Sequence, residues 1–138
     1  MNFHKKISVF IFLLLSSFFY FSPSFAQSKV DSLRNLISLE KEDTNRVNLL
    51  NALCKEYTGN NQLEQALLYG NQALSLAVQI GFKKGSAYAY YRIADAYRKQ
   101  HKDEKAIQHF IFASEIFNEI GMAMHSGNSL SCVAEIYK

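Results

Sequence analysis

The sequence predicts an all-α fold, an α-solenoid of antiparallel helix hairpins with about two and a half repeats, on three observations. The chain echoes itself every 40 residues: Ile80-Gly81 recurs as Ile120-Gly121, Leu53 as Ile93 and Val133, Tyr57 as Tyr97 and Tyr137, Ala66 as Ala106, and Ala73 as Ala113. Apolar residues between these landmarks keep helical spacing. The single proline is Pro23, so no proline interrupts the helices beyond it. Units that bury their apolar faces only against their neighbours form a one-dimensional scaffold. Binding is therefore the expected function, ahead of catalysis.

Residues 1–26 read as a secretory signal peptide. Lys5 and Lys6 supply the positive start, Ile7 to Phe21 an apolar run, and Ser22-Pro23-Ser24-Phe25-Ala26 a break with small residues before a cut at Ala26/Gln27. The run of 15 residues is shorter than the ~20 of a spanning helix, which weighs against the competing reading, an uncleaved anchor. The residue directly after the cut is Gln27, not Cys, which argues against a lipid-anchored lipoprotein. The expected location is therefore periplasmic or otherwise extracytoplasmic. This segment holds two of the 15 Lys/Arg and none of the 12 Asp/Glu, so the remaining 112 residues carry a net charge near +1. The sequence pI of 8.8 is thus no argument for nucleic acid, and none is expected as a partner.

Residues 27–43 form an N-terminal helix and its connection. The helix is expected over Lys29 to Leu39, with Val30, Leu33, Leu36 and Ile37 on one face. The repeat domain follows over 44–138, divided 44–81, 82–121 and 122–138, the last incomplete. Asp43 is a good N-cap for Thr44 to Tyr57, whose Val47, Leu50, Leu53, Cys54 and Tyr57 make one buried stripe. Gly59-Asn60 breaks this helix, and Asn61 with Glu64 resembles a capping box opening Gln62 to Gln79. Ile80-Gly81 provides a left-handed stop. The second copy places helices over Lys83 to Gln100 and Asp103 to Glu119, around a turn at His101-Lys102. The third supplies one helix, from Met122 to Lys138, leaving Val133, Ile136 and Tyr137 facing an unfilled slot. A chain that stops there is expected to be the N-terminal part of something longer, a truncated frame, or half of a self-association interface.

At the second copy, Tyr90, Ile93, Ala94, Tyr97, Ala106, Phe110 and Ala113 resemble the tetratricopeptide repeat signature. The first copy matches at Leu50, Leu53, Tyr57, Ala66 and Ala73 but departs at Gly70, where an aromatic is expected, and at Cys54. The third matches at Leu130, Val133, Ala134 and Tyr137. The period of 40 exceeds the usual ~34, and the family's proline near the hairpin end is missing. The Ile80 to Ala87 run is similar to long-period repeats in the N-terminal sensor regions of bacterial membrane histidine kinases and nucleotide cyclases. Lys29 to Leu33 and Asp43 to Val47 fit the segments that precede such repeats. The resemblance implies a tetratricopeptide superhelix, a protein or peptide partner, and an association with a membrane-anchored signalling protein.

No catalytic signature is present: there is no Gly-rich phosphate loop, no His-Glu-x-x-His, no Gly-x-Ser-x-Gly and no Cys-x-x-Cys. No enzyme activity and no cofactor are expected. His101, His109 and His125 are spaced by 8 and 16, unsuited to a shared metal one helical turn apart, so no metal is expected either. Cys54 and Cys132 lie nearly two periods apart, on the order of 20 Å in a stack, beyond the ~7 Å reach of a disulfide. Arg98, Lys99, His101, Lys102 and Lys105 read as a solvated turn interleaved with Asp103 and Glu104.

In the family that this chain resembles, first helices line the concave side. Tyr88, Tyr91, Asp95 and Arg98 fall at i, i+3, i+7 and i+10 there, offset from the core stripe. Asn48, Asn51, Lys55 and Thr58 match them in the first copy, and Asn128, Ser131 and Glu135 in the third. Tyrosines beside Asn and charged groups would suit an extended peptide. The alternative is that Tyr88 and Tyr91 pack between adjacent hairpins. The Lys/Asn and Lys/Arg set of carboxylate-clamp domains is not reproduced. A structural scaffold that self-associates without a dedicated ligand is the second functional expectation, with the open third hairpin as its homo-oligomer interface.

Overall fold

The computed structural model describes residues 24–138. The charged start and apolar run of the expected export signal lie outside the described residues. Six helices follow in order: α1 Ser24–Leu39, α2 Thr44–Gly59, α3 Leu63–Gln79, α4 Lys83–Lys99, α5 Asp103–Glu119 and α6 Ala123–Ile136. No strand occurs among the described residues. The helix expected from Lys29 begins earlier, at Ser24. No helix of the described part is long and apolar enough to cross a membrane.

α2 starts where Asp43 caps it: the Asp43 carboxylate accepts from the backbone N–H of Asn45 at 2.8 Å and of Arg46 at 3.2 Å. α3, α4 and α5 are each 17 residues long and joined by three-residue turns. The turns share one geometry. Asn61, Gly81, His101 and Gly121 all adopt positive φ, at 59°, 69°, 56° and 77°. The N–H of each donates to a carbonyl three residues back, and the next N–H donates five back: Gly81 to Val78 and Phe82 to Ala77, His101 to Arg98 and Lys102 to Tyr97. These paired bonds make the Schellman stop, which satisfies carbonyls that a helix end leaves open. The 40-residue echo thus contains a 20-residue half-period in backbone geometry. The capping box expected at Asn61 and Glu64 does not form. Asn61 is the left-handed residue of the stop, Gln62 occupies the cap position, and the Gln62 side chain makes no capping bond among the described residues.

Each helix packs on its sequence neighbours, and α2 also packs on α4. Val47, Leu50, Leu53, Cys54, Ala66, Ala73, Ala77 and Ala89 are buried where α2, α3 and α4 meet. Ala87, Ala94, Ala106, Phe110, Ala113 and Phe117 are buried where α4, α5 and α6 meet. Small residues let the helix axes approach, and Phe110 and Phe117 fill the space between. Burying each such ring contributes about 1.5–3 kcal/mol.

The two departures from the repeat pattern compensate each other. A Cβ on Gly70 would lie 2.8 Å from Ile93 Cγ1 and 3.1 Å from Cys54 Sγ. The space that Phe110 fills in one hairpin is occupied in the other by Ile93 and the larger Cys54. Cys54 and Cys132 are both free thiols. Of the residues expected to face an unfilled slot, Val133 and Ile136 instead pack against the Phe110 cluster, while Tyr137 is 76% exposed.

Candidate functional site

α4 carries three side chains toward α6 because Tyr88, Tyr91 and Arg92 lie within about one turn of one another. The Tyr88 ring meets Phe117 edge-on at 5.1 Å and His125 at 5.6 Å. Its hydroxyl is 2.9 Å from His125 Nε2. Tyr91 packs edge-on against Phe110 at 5.2 Å, with its hydroxyl 3.6 Å from Cys132 Sγ. Burial, reinforced by that hydrogen bond, pushes the Tyr91 phenol up to about 12. Both tyrosines therefore pack between hairpins, yet their remaining surface lines a cleft of about 350 Å³ with Arg92, Phe117, His125 and Asn128. The Arg92 guanidinium lies 5.5 Å from the centre of the Tyr91 ring.

Other expected site residues have different fates. Asn51 is buried, 7% exposed, and its Nδ2 donates to the Gly85 carbonyl at 3.1 Å. It ties α2 to the start of α4 and is not a groove residue. Thr58 is likewise buried, and its hydroxyl donates to the Cys54 carbonyl. The cause is the direct packing of α2 on α4, which turns that strip of α2 inward. Asn48, Lys55 and Ser131 stay exposed and do not line the α4–α6 cleft. The Ser131 hydroxyl donates to Gly127.

Asp95 and Arg98 are paired at 2.6 Å, and this bond raises the Arg98 guanidinium further. Arg98 and Glu135 border a second, more open hollow of about 540 Å³ beside the α4–α5 turn, with Lys99, His101 and Asp103. Charges of both signs mix there, and Lys99 Nζ is engaged with the Thr58 carbonyl at 3.0 Å. Of the cationic cluster, Arg98 is thus held by Asp95 within α4 and Lys99 ties α4 to α2, while His101, Lys102 and Lys105 are exposed.

Arg92, Phe117 and His125 are the cleft residues that the helical offset missed. Phe117 and His125 were hidden because α5 and α6 contribute them from outside the first-helix pattern of α4. Arg92 had a signal: the equivalent positions hold Ala52 and Cys132, so the echo breaks there. Among the described residues no group of three His, Cys, Asp or Glu side chains is placed to hold a metal ion.

The fold and cleft define the described residues as an all-α array of helices with an aromatic-walled cleft between α4 and α6 that Arg92 lines. No protein-family model, no curated protein and no solved structure matches the chain.

Proposed function

We propose that this chain is an exported tetratricopeptide repeat protein whose repeat domain is a protein-binding or sensory input module. In this reading it forms the N-terminal part of a membrane signalling protein. The observation that carries the binding reading is the cleft between α4 and α6, where exposed Asn128 stands beside Tyr88, Tyr91 and Arg92. Such a surface offers an extended peptide ring faces, hydrogen-bond partners and a positive charge, as small recognition clefts do. The signalling context rests on the resemblance of the segments at Lys29 to Leu33 and Asp43 to Val47. A photo-crosslinking side chain placed at Asn128 tests the face. It should capture a discrete partner that the same probe at exposed Glu115 does not. Equal capture from both positions would remove the cleft as the binding face.

A second reading, self-association through α6, is favoured by one observation. Leu130 and Tyr137 are 51% and 76% exposed, and Gly127 and Ala134 beside them are exposed as well. One period earlier, Ala87 and Ala94 are fully buried and Tyr90 and Tyr97 half-buried against α5. Light scattering decides this reading: a monomeric mass across the micromolar range rules the assembly out.

A further inference from the structure

We propose that the cleft between α4 and α6 selects an acidic side chain of the bound segment, with Arg92 as its cationic partner and Asn128 as an auxiliary donor. This rests on the peptide-binding reading above and adds the chemistry of the partner. Among the described residues, Arg92 is the one permanently charged group lining the cleft, and no carboxylate lines it. Among the described residues Arg92 forms no ion pair. The nearby Asp95 carboxylate, which could otherwise neutralise it, is held by Arg98 at 2.6 Å. The guanidinium carbon lies over the Tyr91 ring, 5.5 Å from its centre, a cation–π placement, and the planar guanidinium carries the forked N–H donors that match a carboxylate.

Repeat packing does not account for this arginine. Positions that hold the hairpins together recur in kind, as Leu53, Ile93 and Val133 do, whereas the counterparts of Arg92 are Ala52 and Cys132. The cleft of about 350 Å³ accepts a side chain with its flanking backbone, at the small end of ligand sites. A half-buried cation beside aromatic walls sits in lower dielectric than bulk water, which strengthens its pairing with an anion.

The test is an NMR titration of the full mature chain with the capped peptide acetyl-Gly-Ser-Phe-Glu-Ser-Gly-amide, and with the same peptide carrying Gln in place of Glu. The Glu peptide should shift the Tyr88, His125 and Asn128 resonances and bind about 10-fold more tightly than the Gln peptide. Arg92→Gln should abolish the preference, and Arg92→Lys should retain part of it. Asn128→Asp, at an exposed position, should weaken the Glu peptide selectively by like-charge repulsion. Equal affinity of the two peptides for the native chain would overturn the acidic preference while leaving the cleft as a peptide site. So would a preference that survives Arg92→Gln. Failure of both peptides to bind would remove this inference together with the peptide reading beneath it.

Discussion

Four residues carry the turns that follow α2, α3, α4 and α5, and they are not equally suited to it. A left-handed backbone costs an ordinary L-residue roughly 1–2 kcal/mol, glycine little, and asparagine an intermediate amount. Gly81 and Gly121 meet the requirement, while His101 and Asn61 adopt φ of 56° and 59° against it. His101→Gly should therefore raise the unfolding free energy by about 0.5–1 kcal/mol, and Asn61→Gly by less. Thermal melts should show a rise of several degrees for the first, at about 4 °C per kcal/mol for a domain of this size. A drop for His101→Gly would mean that its side chain contributes more than the strain costs.

Cys54 supplies a pH dependence. Burial pushes its thiol up from 9.0 to about 11, against the opposing pull of Arg92. Below pH 9 the thiol is protonated in both states and stability is unaffected. Above pH 9 the unfolded chain ionises first, so stability falls as the pH rises and levels off near 11. The full loss is on the order of 2–3 kcal/mol. Tyr91 and Tyr57, both raised from 10.0, add their own losses at higher pH. The discriminating window is thus pH 9–10, where urea melts of Cys54→Ala should show a flatter slope than the native chain, whatever their absolute stability.

At the level of elements, the helices cohere because small residues meet larger ones across each contact. Gly70 is the tightest such place, since a Cβ there would stand 2.8 Å from Ile93 Cγ1. Gly70→Ala brings better helix propensity, worth about 1 kcal/mol in an exposed helix. The displacement of the fully buried Ile93 outweighs it, because overpacking a dense core costs typically 1–3 kcal/mol. A net loss of about 1 kcal/mol in denaturant unfolding is expected, and a net gain would show that Ile93 has room to turn. The sequence identified Gly70 as a departure from the aromatic pattern but not its reason. A partner 23 residues away, Ile93, cannot be paired with it until α3 and α4 are packed.

At the scale of the whole molecule, neighbour-to-neighbour packing leaves the two sides of an equivalent stripe in opposite states. Tyr90 and Tyr97 are half-buried against α5, whereas Leu130 and Tyr137 on α6 are largely exposed. Leu130→Ser should thus change the stability of a monomer by no more than about 0.5 kcal/mol. Tyr90→Ser, with its ring against His109 and Phe112, should cost about 2 kcal/mol or more. If α6 is an interface between copies, Leu130→Ser will instead lower both the measured mass and the melting temperature. The two readings of this surface are separated by that one comparison.

Helix type, helix order and, to within two residues, every boundary except the start of α1 followed from the amino-acid sequence. Apolar spacing, the Asp43 cap and the Gly81 and Gly121 stops are local properties, decided within one or two turns of chain. The common left-handed geometry at Asn61 and His101 was masked because neither is glycine. Tertiary structure alone decided which polar residues of the first helices remain available. Asn51 and Thr58 share a helical offset with Tyr91 and Arg98, yet they are buried because α2 packs directly on α4. Phe117, from α5, and His125, from α6, complete a cleft whose other wall is α4. Periodicity tells which side of a helix turns inward, but the assembly of a cleft depends on distances between helices, and those are set only when the side chains of different hairpins interlock.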